Sequence, residues 1–386
     1  MTTLFCIHPH GFNVGNHAIH VALRGMLDRA FGELVNLVSI PATTRFESQG
    51  RAGLTAGVVH EINQYADGVI VGGGNLLENG QLDVDLTALR ALQPPMMLFS
   101  LSRGRIHDRR GRLVDRTDVM PDATIRALHE SAMLSVARDE ATAAHLRRIG
   151  CERVVLGGCP TITLGEEADR LPAIPEPDAG AVLISVRTPE LMNVPLAARA
   201  RVHEQVERLA ALVAERTGRS PRLLCHDHRD IPFAASFPGL DYVWTGDVAR
   251  FLALLRSARL LVSFRLHAAL PCLALGTPFV NVSYDERSSS AMATHGLGDW
   301  DVPLLEGDPV ETVARRLDAI DDLHALVRRT APVRTRLRGL MEDAFLRFRD
   351  AVERDRRLDA RPPRPQTLEL KPDAGAAARP GDAAVA

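Results

Sequence analysis

A chain of 386 residues with 46% hydrophobic residues can bury two sizeable cores, so two domains are expected. A formal net charge of −2 and an aromatic content of 4% argue against nucleic acid, an acidic membrane surface, or ring stacking as the main binding mode. The only lysine, Lys371, lies in the C-terminal tail; this excludes a lysine nucleophile, a Schiff base and a Walker lysine from the folded body, and leaves arginine wherever a cation is needed.

Residues 4–7 read as a short strand. A glycine turn follows, Gly11-Phe-Asn-Val-Gly-Asn-His17, and then Ala18, Ile19, Ala22, Leu23, Met26 and Leu27 at the spacing of one helix face. Such a turn suits an anion or a substrate, or is a plain strand-to-helix turn. It lacks both the GxGxxG spacing and the P-loop lysine. Residues 35–40 form a second strand and 58–65 a helix. The stretch 68–77 is a β-branched strand running into Gly72, Gly73 and Gly74, followed by Asn75. Three glycines there fit the close approach of a ligand or of another backbone, or a tight turn. Residues 96–101 form a strand that ends in a basic loop, 102–112, suited to an anionic substrate or simply to solvent. A helix over 122–130, a strand over 134–139 turning at Arg138, a helix over 140–149 closed by Gly150, and a strand over 154–156 complete this half. Alternating strands and helices imply an α/β chain with mostly parallel sheets and helices on both faces.

The stretch 165–180 is rich in Pro, Glu and Asp and reads as the interdomain linker. This divides the chain into an N-terminal domain, 1–164, and a C-terminal domain, 181–357. The second half restarts with a strand over 181–186 ending at Arg187, a helix over 195–216, and a strand over 222–225 ending in His226, Asp227 and His228. A short strand spans 242–244, and Asp247 caps a helix to residue 257. His226 and His228 share one face of an extended strand, but two ligands without a third make no metal site.

The richest stretch is 259–287. A strand over 260–263 delivers Arg265 and His267 to the start of a small-residue helix closed by Gly276. A second strand over 279–282 ends in Tyr284, Asp285 and Arg287. Two strand ends thus bring two arginines, a histidine and a tyrosine to one carboxyl edge, where open α/β sheets bind ligands. Guanidinium forks beside a helix N-terminus favour an anion; the alternative is a solvated rim. Helices over 309–327 and 334–356 follow, the second with an apolar stripe that must dock on the body. The Ala-, Pro- and Gly-rich tail, 358–386, is expected to be disordered. Five cysteines without a CxxC pair read as reduced thiols. The sequence carries no apolar run of transmembrane length and no charged-then-apolar leader, so a cytoplasmic protein is expected.

Taken in order, these pieces resemble the polysaccharide pyruvyl transferase family over most of residues 5–300. Residues 11–18 resemble its glycine-rich Asn-x-Gly-Asp stretch, 69–76 its triple-glycine strand end, and 136–146 its Arg-Asp helix start. Ser185-Val-Arg187 is similar to its second-domain opening strand. Arg265-Leu-His267, Gly276-x-Pro278 and Tyr284-x-x-Arg287 resemble its most specific signature.

The resemblance implies two Rossmann-like domains facing a cleft in a GT-B-like arrangement. It implies transfer of the pyruvyl unit of phosphoenolpyruvate to two hydroxyls of a sugar or glycan acceptor as a cyclic ketal, with no cofactor and no metal. Arg187 and Arg265 would clamp the donor's anionic groups, with Arg287 standing where the family usually has Lys. His267 would be a general acid, protonating the methylene carbon or assisting phosphate departure. Tyr284, Arg138, Asn13, Gly15, Asn16, His17, Gly73, Gly74 and Asn75 would line the substrates. Asn16 and His17 stand where the family often has Asp and Glu, and Gly157, Gly158 and Cys159 where an Asp-Pro pair is usual. A nucleotide-sugar glycosyltransferase of the same plan, or a non-catalytic glycan-binding member, are the alternatives.

Overall fold

The computed structural model describes residues 1–46, 50–176 and 178–358. The tail expected to be disordered lies, beyond Leu358, outside the described residues. In the first half the strands are β1 (Thr2–His8), β2 (Val35–Pro41), β3 (Gly68–Gly74), β4 (Met96–Leu101), β5 (Ile106–His107), β6 (Leu113–Val114), β7 (Leu134–Ala137) and β8 (Val154–Leu156). β5 and β6 form a small antiparallel hairpin. The other six make one parallel sheet in the order β2-β1-β3-β4-β7-β8. The second half carries β9 (Val182–Val186), β10 (Arg222–Cys225), β11 (Tyr242–Trp244), β12 (Leu260–Ser263), β13 (Phe279–Ser283) and β14 (Val302–Pro303). These form a second parallel sheet in the order β11-β10-β9-β12-β13-β14.

The first-half helices are α1 (Val14–Phe31), α2 (Ala56–Tyr65), α3 (Leu86–Arg90), α4 (Asp122–Ser131) and α5 (Glu140–Arg148). Those of the second half are α6 (Leu196–Thr217), α7 (Ile231–Ala234), α8 (Val248–Ser257), α9 (Leu266–Leu275), α10 (Glu286–Thr294), α11 (Pro309–Asp318), α12 (Ile320–Arg329) and α13 (Ala331–Leu358).

Strand periodicity sorts the first core into two layers. Phe5 and Ile7 of β1 face one way, with Val58, Ile62, Ile125, Leu128 and Leu146 from α2, α4 and α5. Leu4 and Cys6 face the other way, with Leu23, Met26 and Leu27 of α1 and Met341, Phe345, Phe348 and Val352 of α13. Phe345 meets Phe99 of β4 edge to face at 4.9 Å between centroids. The apolar stripe read in the last helix therefore docks on the first sheet, although α13 follows the second sheet in sequence. A third core belongs to the second sheet, with Leu183, Ile184, Leu224, Leu261 and Val280 at its centre.

Three local expectations change. A 3-10 helix over residues 160–170, with Ile162 and Leu164 buried, runs into the start of the stretch read as a linker and packs between α1, α9 and α13. The helix expected over 309–327 is two helices broken at Ala319, whose ψ of 31° leaves helical geometry. The basic loop holds the β5–β6 hairpin, and three of its five arginines are paired. Arg103 meets Asp115, Arg112 meets Asp108, and Arg105 reaches Glu286 of α10.

Strand order reverses between β1 and β3 in the first sheet, and between β9 and β12 in the second. At such switch points the loops leaving neighbouring strands diverge and open a crevice at the carboxyl edge.

Candidate active site

Both crevices open onto one cavity of about 200 Å³. From the second sheet, Arg187 leaves the end of β9, and Arg265 and His267 leave the end of β12. Ser263 sets this last turn: its hydroxyl accepts from the Arg265 N–H at 3.0 Å and donates to the Arg265 carbonyl at 2.8 Å. Arg265 is the N-cap residue of α9, and His267 sits at φ −84°, ψ 20°, off the helical path.

Asp230 ties the two arginines together. Its Oδ1 lies 3.3 Å from Arg187 Nη1 and accepts the Thr188 N–H at 3.1 Å, while Oδ2 lies 3.4 Å from Arg265 Nη1. Arg265 and Asp230 are buried. Burial first, and then the neighbouring Arg265, push Arg187 down to about 10, and it stays charged at neutral pH. One carboxylate shared by two guanidiniums leaves a local excess of positive charge facing the cavity. Arg138, from the end of β7, adds a third cation. It is 3% exposed, lies 3.5 Å from Asp139, and its Nε has no hydrogen-bond partner.

His267 faces these groups with its Nε2 buried and unpartnered. Burial, then Arg138, Arg265 and Arg287, hold the imidazole down to about 3, so it is neutral at physiological pH. In the unliganded cavity it is therefore no imidazolium. Although Arg287 lines the cavity, it is paired with Glu78 at 3.0 Å and with Asp285. Glu78 is fully buried and also accepts the Gly104 N–H at 2.7 Å. Burial would lower the Arg287 pKa, but the two carboxylates outweigh it and hold the guanidinium charged. Arg287 therefore bridges the two halves of the chain rather than standing free for an anion.

The first sheet supplies Asn13, Asn16, Asn75 and Asn79. Asn13 caps α1 by accepting the Gly15 N–H at 3.1 Å, and the next N–H, of Val14, donates to the carbonyl of His226 at 3.0 Å. α1 therefore starts against the second half. Gly15 does not line the cavity; its role is close approach. A Cβ there would stand 2.7 Å from His267 Cβ. Gly73 and Gly74 do not line it either. Both have positive φ, 87° and 110°, and a Cβ on Gly73 would meet Ile19 at 2.8 Å. A Cβ on Gly72 would reach the Phe99 carbonyl at 1.9 Å. The triple glycine is thus made for another backbone and for α1, and its turn hands Asn75 to the cavity. His17 lies outside the lining, beside His8 and His20.

Tyr284, Arg138, Arg187, Arg265 and His267 share the cavity as the strand-end pattern implies. Sequence reading missed Asn79, Asn193 and His226 in the wall, and Asp230 behind it. His226 was weighed only as a metal ligand with His228. The two diverge: His226 is buried and paired with Ser185 Oγ at 2.8 Å, while His228 packs at the surface against Phe12. The one signal for Asp230 was its position in the same polar strand end, four residues after His226.

The sequence profile of polysaccharide pyruvyl transferases matches residues 13–286. No curated protein matches the chain. Among solved structures, the UDP-N-acetylglucosamine 2-epimerase from Rickettsia bellii is similar at 12% identity and a TM-score of 0.56, covering 92% of this chain and 98% of that one. The UDP-GlcNAc 2-epimerase from Neisseria meningitidis, bound to UDP-GlcNAc, is similar at 11% identity and a TM-score of 0.53, covering 90% and 100%. At these identities the likeness is one of fold: two Rossmann-like halves of GT-B type. The profile match spans well over half of the chain and includes every cavity residue from Asn13 to Asp285, and on it the protein belongs to the polysaccharide pyruvyl transferase family.

Proposed function

We propose that the protein transfers the pyruvyl unit of phosphoenolpyruvate to two hydroxyls of a sugar or glycan precursor, forming a cyclic ketal and releasing phosphate. The observation that carries this reading is the grouping of Arg138, Arg187 and Arg265 around a neutral, unpartnered His267 in a single cavity. Phosphoenolpyruvate carries a carboxylate and a phosphate on one small frame. Two guanidiniums sharing Asp230, with a third opposite, match two anionic groups and orient them by their forks.

A proton adds to the methylene carbon, and the neighbouring carbon gains oxocarbenium character. The first acceptor oxygen bonds to it and loses its proton. Phosphate then departs with the electrons of its C–O bond, the second hydroxyl closes the ketal, and that hydroxyl's proton goes to phosphate. As an imidazolium, His267 would give its proton to the methylene carbon, and the neutral ring so formed would take the proton of the first hydroxyl, ending as it began. A bound anion between the arginines would offset their field and raise the His267 pKa towards the range where such exchange is efficient. Asn13, Asn16 and Asn75 offer neutral donors and acceptors for sugar hydroxyls on the opposite wall, which fits an uncharged acceptor.

The test is incubation with phosphoenolpyruvate and a panel of sugars and glycosylated precursors. Phosphate release coupled to a product heavier by one pyruvyl ketal is expected. Release of nucleotide from a sugar nucleotide, with phosphoenolpyruvate untouched, would overturn the reading in favour of glycosyl transfer.

A further inference from the structure

Outside the cavity, at the carboxyl end of β1, lies a second constellation. Cys6 and His8 alternate onto the face of β1 that packs on α1, and His20 comes from the second turn of α1. Their sulfur and nitrogen donor atoms all lie within 4.8 Å of one another. Cys6 is fully buried and His8 is 8% exposed. The His8 and His20 rings stack at 4.3 Å, and His20 Nδ1 is buried without a hydrogen-bond partner. His10 stands beside them, its Nε2 3.2 Å from His8 Nε2.

We infer that Cys6, His8 and His20 form a binding site for one divalent ion of zinc type, with His10 as the nearest further donor. One thiolate and two or three imidazoles are the donor set that borderline ions take, and hard oxygen-seeking ions such as Mg²⁺ do not. A tetrahedral zinc ion holds such donors about 3.3–3.6 Å apart. The cluster therefore needs a contraction of about 1 Å, within reach of side-chain rotation at the partly exposed His20. His8 Nε2 and His10 Nε2 both reach Ser39 Oγ, at 2.6 and 2.8 Å, and would exchange that hydrogen bond for the ion. Zinc takes the thiolate form of cysteine, so the Cys6 proton leaves when the ion enters. The ion would pin β1 to α1 at the root of the turn that carries Asn13 and Asn16 to the cavity. The metal reading from sequence stopped at His226 and His228 because this cluster draws on a strand and a helix that only the fold brings together.

The test uses tag-free, full-length protein stripped with a chelator and titrated with Co²⁺, then Zn²⁺. One Co²⁺ per chain is expected, with a sulfur-to-cobalt charge-transfer band that Zn²⁺ abolishes. About one proton should be released per ion, so affinity rises about tenfold per pH unit. Cys6→Ser should lose the charge-transfer band, and His20→Gln should weaken binding by at least about tenfold. Circular dichroism checks that each variant is folded, and His20→Gln, at a partly exposed position, carries the test alone if Cys6→Ser does not fold. Binding below one ion per chain, or binding whose affinity survives His20→Gln, would overturn the site. Because the readout is metal binding, it stands or falls independently of the pyruvyl transfer assay.

Discussion

In the proposed reaction His267 is the residue on which the chemistry turns, and its missing partner at Nε2 sets how that role can be tested. Its imidazole makes no hydrogen bond at Nε2, so His267→Ala removes little that holds the fold. Turnover is expected to fall by about 10²- to 10⁴-fold, the usual contribution of a positioned proton donor or acceptor, with circular dichroism and the urea midpoint close to the parent's. Turnover within a few-fold of the parent would take His267 out of the mechanism. Gly15 acts on the same group from behind. A methyl there meets His267 Cβ at 2.7 Å and Asn13 Oδ1 at 3.2 Å, and neither Cβ can rotate away. Gly15→Ala should therefore cost about 10²-fold in kcat through a small displacement of the imidazole. Stability should drop by only about 1–3 kcal/mol, read by urea denaturation. That role was invisible in the sequence, where a glycine after a strand reads as a ligand turn; the neighbour that demands it lies more than 250 residues away.

At the scale of elements, the site is a meeting of strand ends, and this much was legible. β-branched runs, helix caps such as Asp247 and the closing glycines mark where each strand stops, so Arg265, His267, Tyr284 and Arg287 could be assigned to one edge, with Arg187 joining them through the family resemblance. What sequence could not show was which cations are already neutralised. Arg287 is matched by Glu78, a residue from the first half beside the β3 turn, and the hidden carboxylate decides its role. Asp230 decides the opposite for Arg187 and Arg265, which share it. Asp230→Asn leaves Arg265 without its carboxylate and Arg187 with only Asp227, at 3.9 Å and already paired with Arg229, and a loss of about 3–5 kcal/mol in stability is expected. Added phosphate should restore part of that loss, and stabilise the variant more than the parent, because an anion bound to the folded state alone shifts the unfolding equilibrium. Thermal unfolding with and without phosphate measures this; equal stabilisation of both proteins would mean the anion binds elsewhere.

For the whole molecule, buried histidines set the acid limit. Burial holds His129 and His295 down to about 4, His267 to about 3 and His8 to about 2. Unfolded imidazoles titrate near about 6.5, so stability from these neutral rings is complete above that pH and drains away as pH falls towards 4 and below. Asp301, raised to about 6 by burial, and Asp139, also raised by burial, work the other way, but they do not offset the imidazoles, to which His226, His20 and His145 add. Urea midpoints should therefore decrease steadily from about pH 7 to about pH 4.5. α13 governs the other global property. Leu337, Met341, Phe345, Phe348 and Val352 complete the core of the first sheet. A chain ending before Ala331 should leave Leu4, Met97 and Phe99 uncovered, bind hydrophobic dyes and aggregate, as light scattering would report. A ribosome adds this helix only after the whole second sheet, long after the first sheet has emerged. One face of that sheet must wait, unsealed, while roughly two hundred further residues are made, and a nascent chain with so long an interval of exposure is a natural client for a holding chaperone.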